Sequence, residues 1–177
     1  AISGDSATCN IPTLSGGSGS CQITSTSAGA KTLTATYYGD SVYDGSVDTE
    51  SHTVNKATST TTITSDSPDP SDANQGYTVA VTVSGSYATP TGTVTVSDGS
   101  ASCEIDSLSS GSGSCDLKST TIGVKTLTAT YSGNTIYNGS SGTTSHTVNK
   151  ATSTTTITSD TPDPSVVNQA YTVSVTV

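Results

Sequence analysis

V-K-T-L-T-A-T-Y, residues 124–131, carries Leu127, Ala129 and Tyr131 at every second position with threonine between them. A period of two puts those three side chains on one face of an extended chain, so the stretch reads as a half-buried strand. Thr is β-branched and fits the other, pleated face. Seven of the eight residues recur at 31–37 as K-T-L-T-A-T-Y. Outward from the later copy, the same alternation marks Tyr77–Val83 (Y-T-V-A-V-T-V) and Gly92–Ser97 (G-T-V-T-V-S), the latter ending at the turn dipeptide Asp98-Gly99. Thr58–Thr64 and Thr143–Asn149 read as flanking strands. Ser102–Asp106 and Ser114–Lys118 surround a Ser/Gly loop and read as a hairpin, and S-D-S-P-D-P-S-D-A-N-Q-G at 65–76 reads as a loop.

The recurrence extends through the whole chain. K-A-T-S-T-T-T-I-T-S-D occurs at 56–66 and again at 150–160, an offset of 94 residues. At that offset residues 1–83 align without a gap with 95–177, with 55 identical pairs, so the unit is duplicated rather than merely similar in composition. A 94-residue period is too long for a solenoid repeat and close to one immunoglobulin-type sandwich of about 100 residues. The expected fold is all-β: tandem immunoglobulin-like antiparallel β-sandwiches. The expected organisation is the C-terminal part of a repeat at 1–55, a complete repeat at 56–149, and the first two strands of the next at 150–177.

Composition tests this reading. Hydrophobic residues make up 30 % of the chain, with no Phe, Trp or Met, while Ser and Thr number 70 of 177. So few apolar residues raise the alternative of disorder. Strict alternation and a charged fraction of 11 % favour folded strands. The net charge of −9, with five scattered lysines and no arginine, excludes phosphate-tracking nucleic-acid binding. No run of about 18 apolar residues is present to span a membrane, and nothing resembling a signal peptide opens the chain.

The combination of G-T-V-T-V-S-D-G (92–99), a Cys-bearing pair of strands and V-K-T-L-T-A-T-Y-S-G-N-T-I-Y (124–137) resembles the bacterial immunoglobulin-like repeats of large surface proteins. L-T-A-T-Y-Y-G-D-S-V-Y at 33–43 repeats the second element. The resemblance implies an extracellular or cell-surface stalk, an adhesin, or an accessory module of a secreted enzyme. It implies no catalytic residues and no cofactor.

Candidate sites are few. Cys9 and Cys21, and Cys103 and Cys115, lie twelve apart in each copy, which favours a local disulfide per repeat and an oxidising compartment. Zinc is the competing reading, but its motifs want C-x2–4-C spacing and further ligands. Asp40, Asp44, Asp48 and Glu50, and separately Asp66, Asp69 and Asp72, are carboxylate clusters read either as calcium ligands or as solvated turns. The second copy has Asn134 and Asn138 where the first has Asp40 and Asp44, which favours turns. His52 and His146 sit in an alternating S-H-T-V strand, with no partner Ser or Cys nucleophile in a recognisable turn, and read as structural. Lys56 and Lys150 are candidates for an isopeptide cross-link to an Asn, with no pattern that requires one. Asn138-Gly139-Ser140 is a glycosylation sequon, absent from the first copy.

Residues 1–55 and 150–177 are complementary parts of one repeat, lacking only the equivalent of 84–94. The expected partners are therefore copies of the chain itself, joined head to tail either as a continuous tandem chain or by strand complementation. The expected function is a structural repeat of an extracellular filament or cell-surface stalk. The alternative is an adhesin or carbohydrate-binding module, for which the partner is a glycan or host-surface ligand.

Overall fold

The computed structural model describes residues 1–4 and 7–177, and among them every regular element is a strand. Residues 1–55 contribute β1 (Ile2–Gly4), β2 (Ala7–Cys9), β3 (Gly29–Tyr37) and β4 (Ser46–Val54), forming one sheet in the order β2-β1-β3-β4. The middle of the chain holds β5 (Ser59–Ser67), β6 (Ser71–Asp72), β7 (Gly76–Gly85), β8 (Val94–Ser97), β9 (Ser102–Ile105), β10 (Ser112–Lys118), β11 (Gly123–Tyr131) and β12 (Ser140–Asn149). Finally β13 (Thr156–Thr161) and β14 (Thr172–Thr176) pair with each other. No helix among the described residues is long and apolar enough to cross a membrane.

The middle strands form two sheets, β10-β7-β5 and β6-β12-β11-β8-β9, with β5 lying against β11 and β12. Alternation builds the core between them. Tyr77, Val79, Val81 and Val83 of β7 point inward, and Val94, Val96, Leu127, Ala129 and Tyr131 of β8 and β11 meet them. With Phe and Trp absent, tyrosine supplies the bulk, and each buried phenol finds a polar partner at its tip, as a buried Tyr requires. The Tyr131 hydroxyl donates to Thr91 O at 2.7 Å. The Tyr137 hydroxyl accepts from the amides of Tyr87 and Ala88, both at 2.8 Å, and donates to Ala88 O at 2.7 Å. One side chain thereby anchors the whole β7–β8 loop.

Three expectations need correction. Residues 102–106 and 114–118 do not form a hairpin: β9 pairs with β8 in one sheet, while β10 pairs with β7 in the other. The connecting loop arches from sheet to sheet because Ile105, Leu108 and Leu117 turn into the core rather than across a ladder. The 65–76 stretch is not all loop, since β5 runs on to Ser67 and Ser71–Asp72 forms β6. Nor is the sandwich wholly antiparallel, because β6 pairs with the end of β12 in parallel, Val148 opposite Ser71 and Asn149 opposite Asp72.

Candidate functional site

The disulfide of the complete unit ties two strands. Cys103 on β9 and Cys115 on β10 are bonded, with Cα atoms 5.9 Å apart. They join the edge strand of one sheet to the edge strand of the other. Cys9 and Cys21 are bonded in the first copy, Cα atoms 6.0 Å apart. No described cysteine is free to bind a metal.

Asp98 nucleates the turn after β8. Its Oδ1 accepts from the Ser100 amide (2.8 Å), the Ser100 hydroxyl (3.0 Å) and the Ala101 amide (2.6 Å). Its Oδ2 accepts from the Ser119 hydroxyl, which also bonds the Tyr77 hydroxyl at 3.0 Å. Burial pushes this carboxyl up, but the hydrogen bonds from Ser119, Ala101 and Ser100 outweigh it and hold the pKa at about 2.

Beside this chain sits His146 of β12, fully buried and stacked on the Tyr77 ring at 3.8 Å. Its Nε2 is 2.8 Å from Ser71 Oγ, and its Nδ1 is 2.8 Å from Asp66 Oδ2 and 3.5 Å from Asp69 Oδ1. Nothing in the sequence pairs Ser71 with this histidine, because Ser71 lies 75 residues away and arrives only through the parallel β6–β12 pairing. A Ser–His–Asp order suggests acyl transfer, but Ser71 is 1 % exposed and stands in the sandwich where no substrate reaches it. The cluster instead fastens the β5–β6 turn to the opposite sheet. His52, the first copy's counterpart, is exposed.

The carboxylate groups separate into two kinds. Asp40 closes its own loop: Oδ1 accepts from the Val42 and Tyr43 amides, and Oδ2 accepts from Tyr37. Asn134 does the same, its Oδ1 accepting from the Ile136 and Tyr137 amides at 2.8 Å. The two copies thus exchange Asp for Asn because only an acceptor oxygen is needed. Asp66 and Asp69 converge on His146, and Asp72 is not in that group. Asn138 is exposed, with Nδ2 donating to Lys56 O at 3.3 Å. The Lys56 and Lys150 side chains are exposed, away from the buried setting that isopeptide chemistry needs.

With the geometry in place, comparison with known proteins decides the family. The sequence profile of the bacterial Ig-like domain (group 3) matches residues 56–149, more than half of the chain. The chain belongs to that family. No curated protein sequence matches this bacterial Ig-like chain significantly. Among solved structures, one similar chain is described as a Ca2+-stabilized adhesin that helps an Antarctic bacterium reach out and bind ice. Identity is 24 %, over 76 % of this chain and 35 % of that one, with a TM-score of 0.34. The Ig-like chain spans about a third of that protein's length, and so weak a likeness carries no functional argument.

Proposed function

We propose that this bacterial Ig-like chain is a structural repeat of an extracellular filament or cell-surface stalk, whose copies join head to tail. One observation carries the reading. In the first copy an open groove of about 820 Å³ is lined by Ile2, Ile11, Leu14, Ala35, Tyr37 and Val47, among others. Ninety-four residues on, the counterparts of Ile2, Ile11, Leu14, Ala35 and Tyr37 are Val96, Ile105, Leu108, Ala129 and Tyr131, all buried in the core. In that complete unit the seat is filled by β5 and β7.

The missing filler is present elsewhere in the chain. β13 and β14 repeat the sequence of β5 and β7, but their core-type residues face outward. Val175 is 58 % exposed where its counterpart Val81 is 1 % exposed. Val173, Val177 and Tyr171 are likewise exposed where Val79, Val83 and Tyr77 are buried. Burying such side chains is worth about 1.5–3 kcal/mol each, so a second copy of the groove is the surface that suits them. Continuous tandem chain and strand donation between subunits both satisfy this complementarity. The Thr-rich outer faces and bridged sheets suit a soluble rod outside the cell.

The fit differs from that inside the complete unit where β5 crosses β12. A Cβ at Gly142 would lie 2.2 Å from Thr61 O, and Asp48 occupies the equivalent position in the first copy. An incoming strand therefore sits displaced from the position that β5 takes. Sedimentation velocity on the purified chain tests the proposal. The sedimentation coefficient should rise steadily between micromolar and millimolar chain, Val175→Asp should abolish the rise, and Asp48→Gly should strengthen it. A monomer at every concentration overturns it.

A second reading, an adhesin or carbohydrate-binding module, is favoured by Tyr38 and Tyr43, which stand 80 % and 68 % exposed in one loop. Exposed aromatic faces suit sugar rings. A glycan array that shows no binding, or binding unchanged by Tyr38→Ala and Tyr43→Ala, removes this reading.

A further inference from the structure

We propose that Asp66, Asp69 and His146 form a binding site for one divalent first-row transition ion of the zinc class. The three ligand atoms lie within 4.8 Å of one another. Nδ1 is 2.8 Å from Asp66 Oδ2 and 3.5 Å from Asp69 Oδ1. Nitrogen and oxygen ligands at about 2.0–2.2 Å around a tetrahedral ion stand roughly 3.3 Å apart, so small side-chain adjustments seat the ion. The imidazole is aimed at this point from a fully buried position and is held there from its other side. Asp69, 37 % exposed, gives the ion a way in and leaves a position for water.

The charge and hydrogen-bond arrangement favour a cation over a proton. A single Nδ1 proton serves Asp66 and leaves the facing Asp69 oxygen, among the described residues, hydrogen-bonded to the Thr147 amide at 2.9 Å. Among the described residues, the ion-pair partner of both carboxylates is His146 itself. An ion would displace the Nδ1 proton, and Nε2 would then carry the hydrogen. Ser71 accommodates either state, because a hydroxyl donates to a bare Nε2 and accepts from a protonated one. This is the outer partner that metal-binding histidines need to fix their ring. The donor set also sorts the metals. Calcium wants six to eight oxygens, whereas one imidazole with two carboxylates suits a borderline ion.

The ion would tie the end of β5 to β12 at His146, four residues before the segment that opens the next copy at Lys150. The same residue types recur as His52, Asp160, Asp163 and Ser165, divided between the two terminal segments. A chain carrying Val175→Asp therefore isolates the complete site.

Zn2+ titrated calorimetrically into that chain should bind at one equivalent. Asp69→Asn, which retains the acceptor for Thr147, should weaken it at least about tenfold, and His146→Ala should abolish it. His52→Ala should leave it unchanged. In the NMR spectrum of the Val175→Asp chain, Zn2+ should shift the His146 ring carbons and spare those of His52. Absence of binding overturns the proposal, as does binding indifferent to Asp69→Asn or lost with His52→Ala. If His146→Ala does not fold, Asp69→Asn and the ring shifts decide.

Discussion

Asp98→Asn isolates the contribution of one buried carboxylate to the stability of the complete unit. The folded carboxyl titrates at about 2 against an ordinary value of 3.8, and each unit of difference is worth about 1.4 kcal/mol, so ionised Asp98 contributes about 2 kcal/mol. The sign follows from a depressed folded pKa. The contribution is complete above the unfolded value and disappears as pH falls from about 4 to about 2. Asn is nearly isosteric and still accepts from Ser100 and Ala101, but it carries no charge to lose. Urea unfolding of both proteins at a series of pH values from neutral down to acid gives the difference directly. The variant should be less stable by about 2 kcal/mol at pH 7, with the gap closing through that acid window. Parallel profiles, with the same gap at neutral pH and in acid, would refute the assignment of this stability to the ionised carboxylate.

Three further outcomes follow from the packing. Replacing Cys103 and Cys115 by serine should cost about 3 kcal/mol, the loop-closure value for a bridge of this span, read from urea midpoints. Leu127→Ala opens a cavity in the core that Leu127 shares with Val79 and Val81 and should cost about 2–5 kcal/mol, checked by thermal unfolding. Asn134→Asp should be nearly neutral, because Asp40 makes the same loop in the first copy, whereas Asn134→Ala frees two amides and should cost about 1–3 kcal/mol.

The sequence made the strands legible wherever alternation is strict. β7, β8 and β11 carry valine, leucine, alanine or tyrosine at every second position, and their inward faces are the core. What it hid depends on distance. Cys103 and Cys115 look like the arms of a hairpin from their spacing, and only the sheet to which each strand is bonded shows that they bridge the two layers. β6 is two residues long inside a Pro-rich stretch, too short for any periodicity, yet it brings Ser71 to His146. Asp66 and Asp69 could be suspected from clustering, but their focus is a histidine some 80 residues away. The Asp40 and Asn134 exchange was the clue that one carboxylate group serves a turn.

Hydrogen–deuterium exchange across a concentration series tests most directly whether terminal segments of separate copies complete one another. Amides of β3, β4, β13 and β14 should exchange rapidly at low concentration and become protected together as concentration rises, while β7 and β11 stay protected throughout. Terminal strands whose exchange does not depend on concentration would contradict head-to-tail completion of the repeat.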